Sequence, residues 1–210
     1  MVTVKNNGAV VPRPRGRPRA FDRDEALAVA GNTFWRLGYE GASISDLTSA
    51  MGITPQSLYA AFRSKADLYR EALDWYQREI GAVTTEALMD SDAIAAFERI
   101  LTESAREFCR SDRPRGCMIS TAVLTCATEN DAVAARVAGL RDATLAAFHA
   151  RLQRGVDDGA LRPDTDVGAL ARFIGALVQG MSVQARDGAS EADLAGIARL
   201  GIAELHRHRA

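Results

Sequence analysis

Cysteine and histidine are scarce in this chain of 210 residues, with three of each. Cys109, Cys117 and Cys126 are odd in number and separated by seven and eight residues, which suits neither a disulfide scaffold nor a zinc site. His149 stands alone, and His206 and His208 lie in an Arg-rich tail, so no metal pair and no general base with an evident partner emerges. A phosphate-cradling Gly-Lys loop and a nucleophile elbow are also missing. The expectation is a protein with reduced thiols, no metal, no cofactor and no enzymatic activity. No apolar run approaches the roughly 18 residues of a membrane span, and the charged N-terminus lacks the apolar segment of a secretion signal. A cytoplasmic protein that does not engage a membrane is expected.

Excess charge of one sign is lacking overall, since 26 basic residues face 27 acidic ones, and a uniformly basic nucleic-acid coat is excluded. The distribution is uneven. Residues 1–20 carry Lys5, Arg13, Arg15, Arg17 and Arg19 and no acid. Their Gly, Asn, Pro and Arg cannot bury enough apolar surface to offset ordering entropy, so they read as a flexible basic arm.

From Asp22 onward the pattern is helical. Leu27, Ala30, Phe34 and Leu37 recur at helical spacing, with Asp22 and Glu25 as a capping pair and Gly38 as the stop. Ser43 with Asp46, and Ser64 with Asp67, mark two further helix starts. Ile44, Leu47 and Met51 form a short second helix that Gly52 ends. Thr54 caps a third, with Pro55 in its first turn and Leu58 and Phe62 facing inward. A fourth helix runs from Lys65 to about Gly81. Later stripes fall at Ile94, Phe97, Leu101 and Phe108, and at Leu145, Phe148, Leu152 and Val156. No strand pattern and no repeat is present, so the fold class is all-α: a three-helix head at 21–68 and a larger body at 69–210. Residues 169–183 are apolar or Gly at 12 of 15 positions, which fits a helix buried on two sides, with Gly175 and Gly180 admitting a partner helix. The last helix, from Ser190 through Leu194, Ile197 and Leu205, adds to such a contact. A homodimer through the last two helices is expected, against the alternative of one large monomeric core.

Helix, Gly turn and short helix between Ser43 and Phe62 form a helix-turn-helix pattern whose second helix would read a major groove. Thr54, Gln56, Ser57 and Tyr59 project away from Leu58 and Phe62. A Gln amide can read adenine, while hydroxyls suit phosphate. Ser43 and Lys65 add a helix N-terminus and a charge. Polar outward faces are also what any surface helix needs. The Arg15-Gly16-Arg17-Pro18 core resembles an AT-hook, whose arginines follow the A·T minor groove.

Residues 20–76 resemble the DNA-binding head of the TetR family of bacterial transcriptional regulators. The resemblance rests on Phe34, Gly38-Tyr39, Ser43 to Asp46, Met51-Gly52-Ile53, Ser57-Leu58-Tyr59, Phe62, Ser64-Lys65 and Leu68. It implies that Ser43, Thr54, Gln56, Ser57, Tyr59 and Lys65 contact a double-stranded DNA operator. Pro55-Gln56 departs from the Gly that members often carry there, which leaves base specificity open. The resemblance further implies a repressor released by a small-molecule effector in the body. An architectural DNA-binding protein without an effector is the competing reading. Trp75, Phe97, Phe108, Met118 and Phe173 are the expected pocket wall. Cys117, beside Pro114 and Gly116 at an expected helix start and flanked by Arg113 and Arg115, joins them. The resemblance implies a covalent sensor there, against the alternative of an inert buried thiol.

Overall fold

Asp22 opens the first helix as expected, its carboxylate accepting from the backbone N–H of Asp24 and Glu25. The protein is described by a computed structural model covering residues 21–124 and 126–210; the basic arm therefore lies outside the described residues. Helix α1 spans Arg23–Gly41 and breaks at Gly38, whose φ of 77° is a left-handed value that glycine adopts without strain. Helices α2 (Ile44–Met51), α3 (Pro55–Phe62) and α4 (Lys65–Glu79) follow. A short α5 (Ala82–Ala87), α6 (Ala93–Glu107), a 3-10 turn at Thr128–Asn130, and α7 (Asp131–Asp157), α8 (Val167–Arg186) and α9 (Glu191–His206) complete the described chain. Among the described residues there is no extended strand, only one isolated bridge between Leu161 and Arg209. None of these helices is long and apolar enough to cross a membrane.

Two apolar clusters organise the packing. One joins α6, α7, α8 and α9 through Phe97, Leu101, Phe148, Leu152, Ile174 and Leu194. The other joins α1 to α4 through Phe34, Leu47, Leu58, Phe62, Leu68 and Leu73, and continues past them to Met118, Ala122, Val137 and Leu140. The expected head boundary at 68/69 falls inside α4, with no linker there.

Trp75, expected in a pocket, is instead laid across Gly31: a Cβ at Gly31 would stand 2.6 Å from two atoms of its indole ring. Gly31→Val is therefore expected to destabilise by about 1–3 kcal/mol, because a packed ring cannot yield to added volume. Urea unfolding should show a lower midpoint at unchanged slope. Gly175, expected to receive a partner helix, faces Leu145 of α7 in the same chain, at 2.5 Å from an added Cβ. Gly180 has open space around it. Phe173, Val183 and Leu200 remain exposed on α8 and α9.

Polar contacts fix the head on the body. Just before the break of α1 at Gly38, Arg186 at the end of α8 donates to Trp35 O at 3.0 Å and Arg36 O at 3.4 Å. Beyond the break, Glu40 accepts from Ala127 N at 3.1 Å and Asn130 Nδ2 at 2.8 Å. Arg136 of α7 pairs with Asp74 of α4 at 3.0 Å.

Candidate nucleic-acid interface

The turn between α2 and α3 is fixed by local chemistry. Ser43 and Asp46 form a reciprocal capping box: Asp46 N donates to Ser43 Oγ at 3.0 Å, and Ser43 N donates to Asp46 Oδ2 at 2.9 Å. Gly52 ends α2 with φ 65°. Thr54 Oγ1 accepts from Ser57 N at 3.1 Å, and Pro55 occupies the first turn of α3, where a missing N–H costs nothing. Leu58 and Phe62 are 0% and 1% exposed, and they seat α3 on α1 and α4. Burial of each contributes about 1.5–3 kcal/mol.

That seating leaves Thr54, Gln56 and Tyr59 exposed on the opposite face of α3, with Ser57 half-buried beside them. Gln56 and Tyr59 are three residues apart and so neighbour each other on the helix surface. Two candidates are partly occupied. The Ser43 hydroxyl donates to Asp46 Oδ2 at 2.6 Å, so its proton is already engaged. Lys65 is half-buried with its ammonium 4.6 Å from the centre of the Tyr39 ring. Burial pulls the Lys65 pKa down while nearby Glu40 pushes it up. Arg15 and Arg17 lie outside the described residues.

Arg63 is a candidate that the sequence reading missed. It is exposed directly after α3, with φ 65° and ψ −53°, and Ser64 N donates back to Phe62 O at 2.7 Å across it. This is a γ-turn of the rare positive-φ kind, so a guanidinium is held at the end of α3 on a strained backbone. The only signal in the sequence was a basic residue between Phe62 and the Ser64 cap, at a position where positive φ is usually inferred from glycine.

The caps also set a pH dependence. Hydrogen bonds from Ser43 hold the Asp46 pKa below its ordinary value, and those from Ser64 and then Arg70 do the same for Asp67. Each carboxylate therefore stabilises the fold fully above the ordinary aspartate range, and that contribution is lost as pH falls through the lowered folded-state value.

Behind the head lies a cavity of about 190 Å³ whose wall includes Trp35, Tyr76, Ile80, Phe108, Cys117, Phe148 and the polar groups of Arg141, Thr144 and Gln179. Of the expected wall residues it brings together Phe108 and Cys117. Phe97 is buried behind Phe148, ring centres 5.4 Å apart, and Met118 is buried in the head's cluster. Phe173 is 38% exposed on the outside of α8. Trp35, Tyr76, Arg141 and Gln179 were missed. Helical periodicity marks inward residues without marking which of them border a void.

No helix begins at Cys117. Residues 118–123 form turns, and Gly116 (φ 75°) packs so closely on α8 that an added Cβ would stand 2.6 Å from Ser182 O. Cys117 N donates to Ser182 Oγ at 2.7 Å. The flanking arginines are occupied elsewhere, Arg113 with Glu107 at 3.3 Å and Arg115 with Ala189 O and Cys109 Sγ. Beside Cys117, burial pushes the Tyr76 phenol well above its ordinary pKa.

Residues 26–72 match the family described as bacterial regulatory proteins, tetR family, and residues 94–199 match the tetracyclin repressor-like C-terminal domain. The HTH-type transcriptional repressor ComR of Escherichia coli K12 is 34% identical over 193 residues, covering 90% of each chain. The HTH-type transcriptional repressor BdcR of the same organism is 29% identical over 201 residues, covering 95% of this chain and 94% of its own. A cysteine mutant of the TetR family transcriptional regulator CifR, complexed with 26-base-pair double-strand operator DNA, superposes with a TM-score of 0.85. It is 40% identical and is matched over 89% of this chain and 98% of that one. The exposed polar face of α3, the capped turn before it and these likenesses together place the chain in the TetR family of bacterial transcriptional regulators.

Proposed function

We propose that the protein is a homodimeric repressor that binds an operator in the cytoplasm and leaves it when a small molecule fills the cavity. The observation that carries this reading is the shared position of α4: its N-terminal half packs under α3, and its C-terminal half supplies Tyr76 and Gln77, followed by the capping Ile80, to the cavity wall. A ligand there acts on the element that seats the reading helix. The repressor role is supported by the names of the ComR and BdcR relatives, and the operator partner by the CifR complex. Two α3 helices about 34–36 Å apart would enter successive major grooves. The exposed Phe173, Val183 and Leu200 supply apolar surface for pairing through α8 and α9. Residues 1–20 serve as the arm, with Arg15 and Arg17 in the adjacent minor groove, 21–68 as the head and 69–210 as the sensing body. No catalytic step is assigned.

The test is gel retardation of DNA from upstream of the protein's own gene, repeated across a panel of small neutral and electrophilic molecules. A molecule that prefers the released form must bind more weakly when operator is present, by the same factor by which it weakens operator. If retardation is insensitive to the whole panel, the effector-free architectural reading replaces this one. For an electrophile that does release DNA, Cys117→Ser is expected to abolish release, because Cys117 is the thiol on the cavity wall. Unchanged release would assign the response to shape and polarity alone.

A further inference from the structure

A second cleft, of about 660 Å³, opens between the head and the body, and four of its lining residues are arginines. Arg36 reaches it from α1, Arg113 and Arg115 from the loop after α6, and Arg186 from the end of α8, against one acid, Asp112. Asp112 is already held by Arg110 at 2.9 and 2.7 Å, which keeps its carboxyl down to about 2. Arg113 is ion-paired with Glu107 at 3.3 Å and with Asp112 at 3.6 Å. Two of the other three lining guanidinium groups are held by carbonyls instead of carboxylates: Arg186 by Trp35 O and Arg36 O, and Arg115 by Ala189 O. Those contacts fix the groups in place and leave their charge uncompensated. Arg36 is exposed and has no ion pair among the described residues. Two donors are also buried without an acceptor there: Nε of Arg115, which lines the cleft, and the indole Nε1 of Trp35, a residue 2% exposed that borders both the cleft and the cavity. Cations of one sign facing a common cleft repel one another and focus an attractive field for anions. Orphaned buried donors add a cost that an acceptor would remove.

We propose that this cleft binds a small polyanion, a molecule carrying at least two anionic phosphate or carboxylate oxygens, as a ligand site separate from the effector cavity. Planar guanidinium forks suit the paired oxygens of both groups. Because Arg36 belongs to the head and the other three arginines to the body, the bound anion bridges the two and sets how firmly the head is held.

The experiment is calorimetric titration of the full chain with pyrophosphate and, separately, citrate, at ionic strength matched with sodium chloride. One saturable site is expected for at least one probe, and which probe binds identifies the source of the oxygens. Arg36→Gln and Arg113→Gln should each weaken it about tenfold or more, the loss of one charge-assisted hydrogen bond. Arg162→Gln, an exposed arginine paired at 3.4 Å with Asp164, should leave it unchanged. Arg186 and Arg115 are left intact because they brace the fold, and urea midpoints of the variants are compared with that of the parent chain. Absence of saturable heat with both probes overturns the proposal. So does equal binding by the Arg36→Gln, Arg113→Gln double variant, which would mean an adventitious ion only. If the double variant loses operator in anion-free buffer, the cleft serves the DNA backbone and the proposal falls. The titration contains no DNA, so its outcome is independent of the operator-binding reading.

Discussion

Gln56→Ala is expected to change which operators are bound rather than how tightly DNA is held in general. Gln56 is exposed at the second position of α3, on the side opposite the buried Leu58 and Phe62, where an amide can bridge the paired donor and acceptor of one base edge. Losing such a contact costs about 1–3 kcal/mol at the matched base pair, or about 5- to 150-fold in affinity, and little at other sequences. Tyr59→Phe removes a hydroxyl suited to phosphate, so all sequences should be weakened alike. Lys65→Ala should do the same and reduce the salt slope by about one unit. Binding curves over an operator library at two salt concentrations separate the classes. If all three variants shift every operator equally, α3 is not the reading element. Lys65 also stacks on Tyr39, so its variant must first be shown to unfold at the parent midpoint.

Phe62→Ala should produce the largest loss of stability. The ring is 1% exposed, it lies in the cluster that joins α1, α3 and α4, and the guanidinium of Arg23 stands 4.5 Å from its centre. Arg23 is in turn held by Glu71 of α4 at 2.7 Å, so truncation both opens a cavity and unseats an ion pair that spans the head. A cost of about 3–5 kcal/mol is expected, a large share of the 5–15 kcal/mol that a domain typically has. Phe62→Leu, which keeps most of the volume, should lose much less. A shift below about 1 kcal/mol in Phe62→Ala, measured by urea unfolding, would mean that α3 is not seated on this ring.

The head was largely legible because its instructions are short-range. Ser43 with Asp46, Thr54 with Pro55 and Gly52 each act within four residues, and each sits in the structure where its spacing implied. The Cys117 segment was misread for the opposite reason. Pro114 and Gly116 serve a loop as readily as a helix start, and the choice was made by α8, whose Ser182 accepts from the Cys117 amide across 65 residues of chain. Gly175 likewise announced a close approach without naming the neighbour, which proved to be Leu145. The cavity required knowing where α4, α6, α7 and α8 leave space unfilled. No single stripe encodes that, and so Phe108 was identified while Trp35 and Arg141 were not.

The apolar cluster of α1–α4 extends to Met118, Ala122, Val137 and Leu140. Anyone hoping to rewire this regulator by grafting its DNA-reading part onto a foreign sensor would therefore cut through a continuous hydrophobic seam. A working chimera must import those four side chains, or complementary replacements, along with the graft.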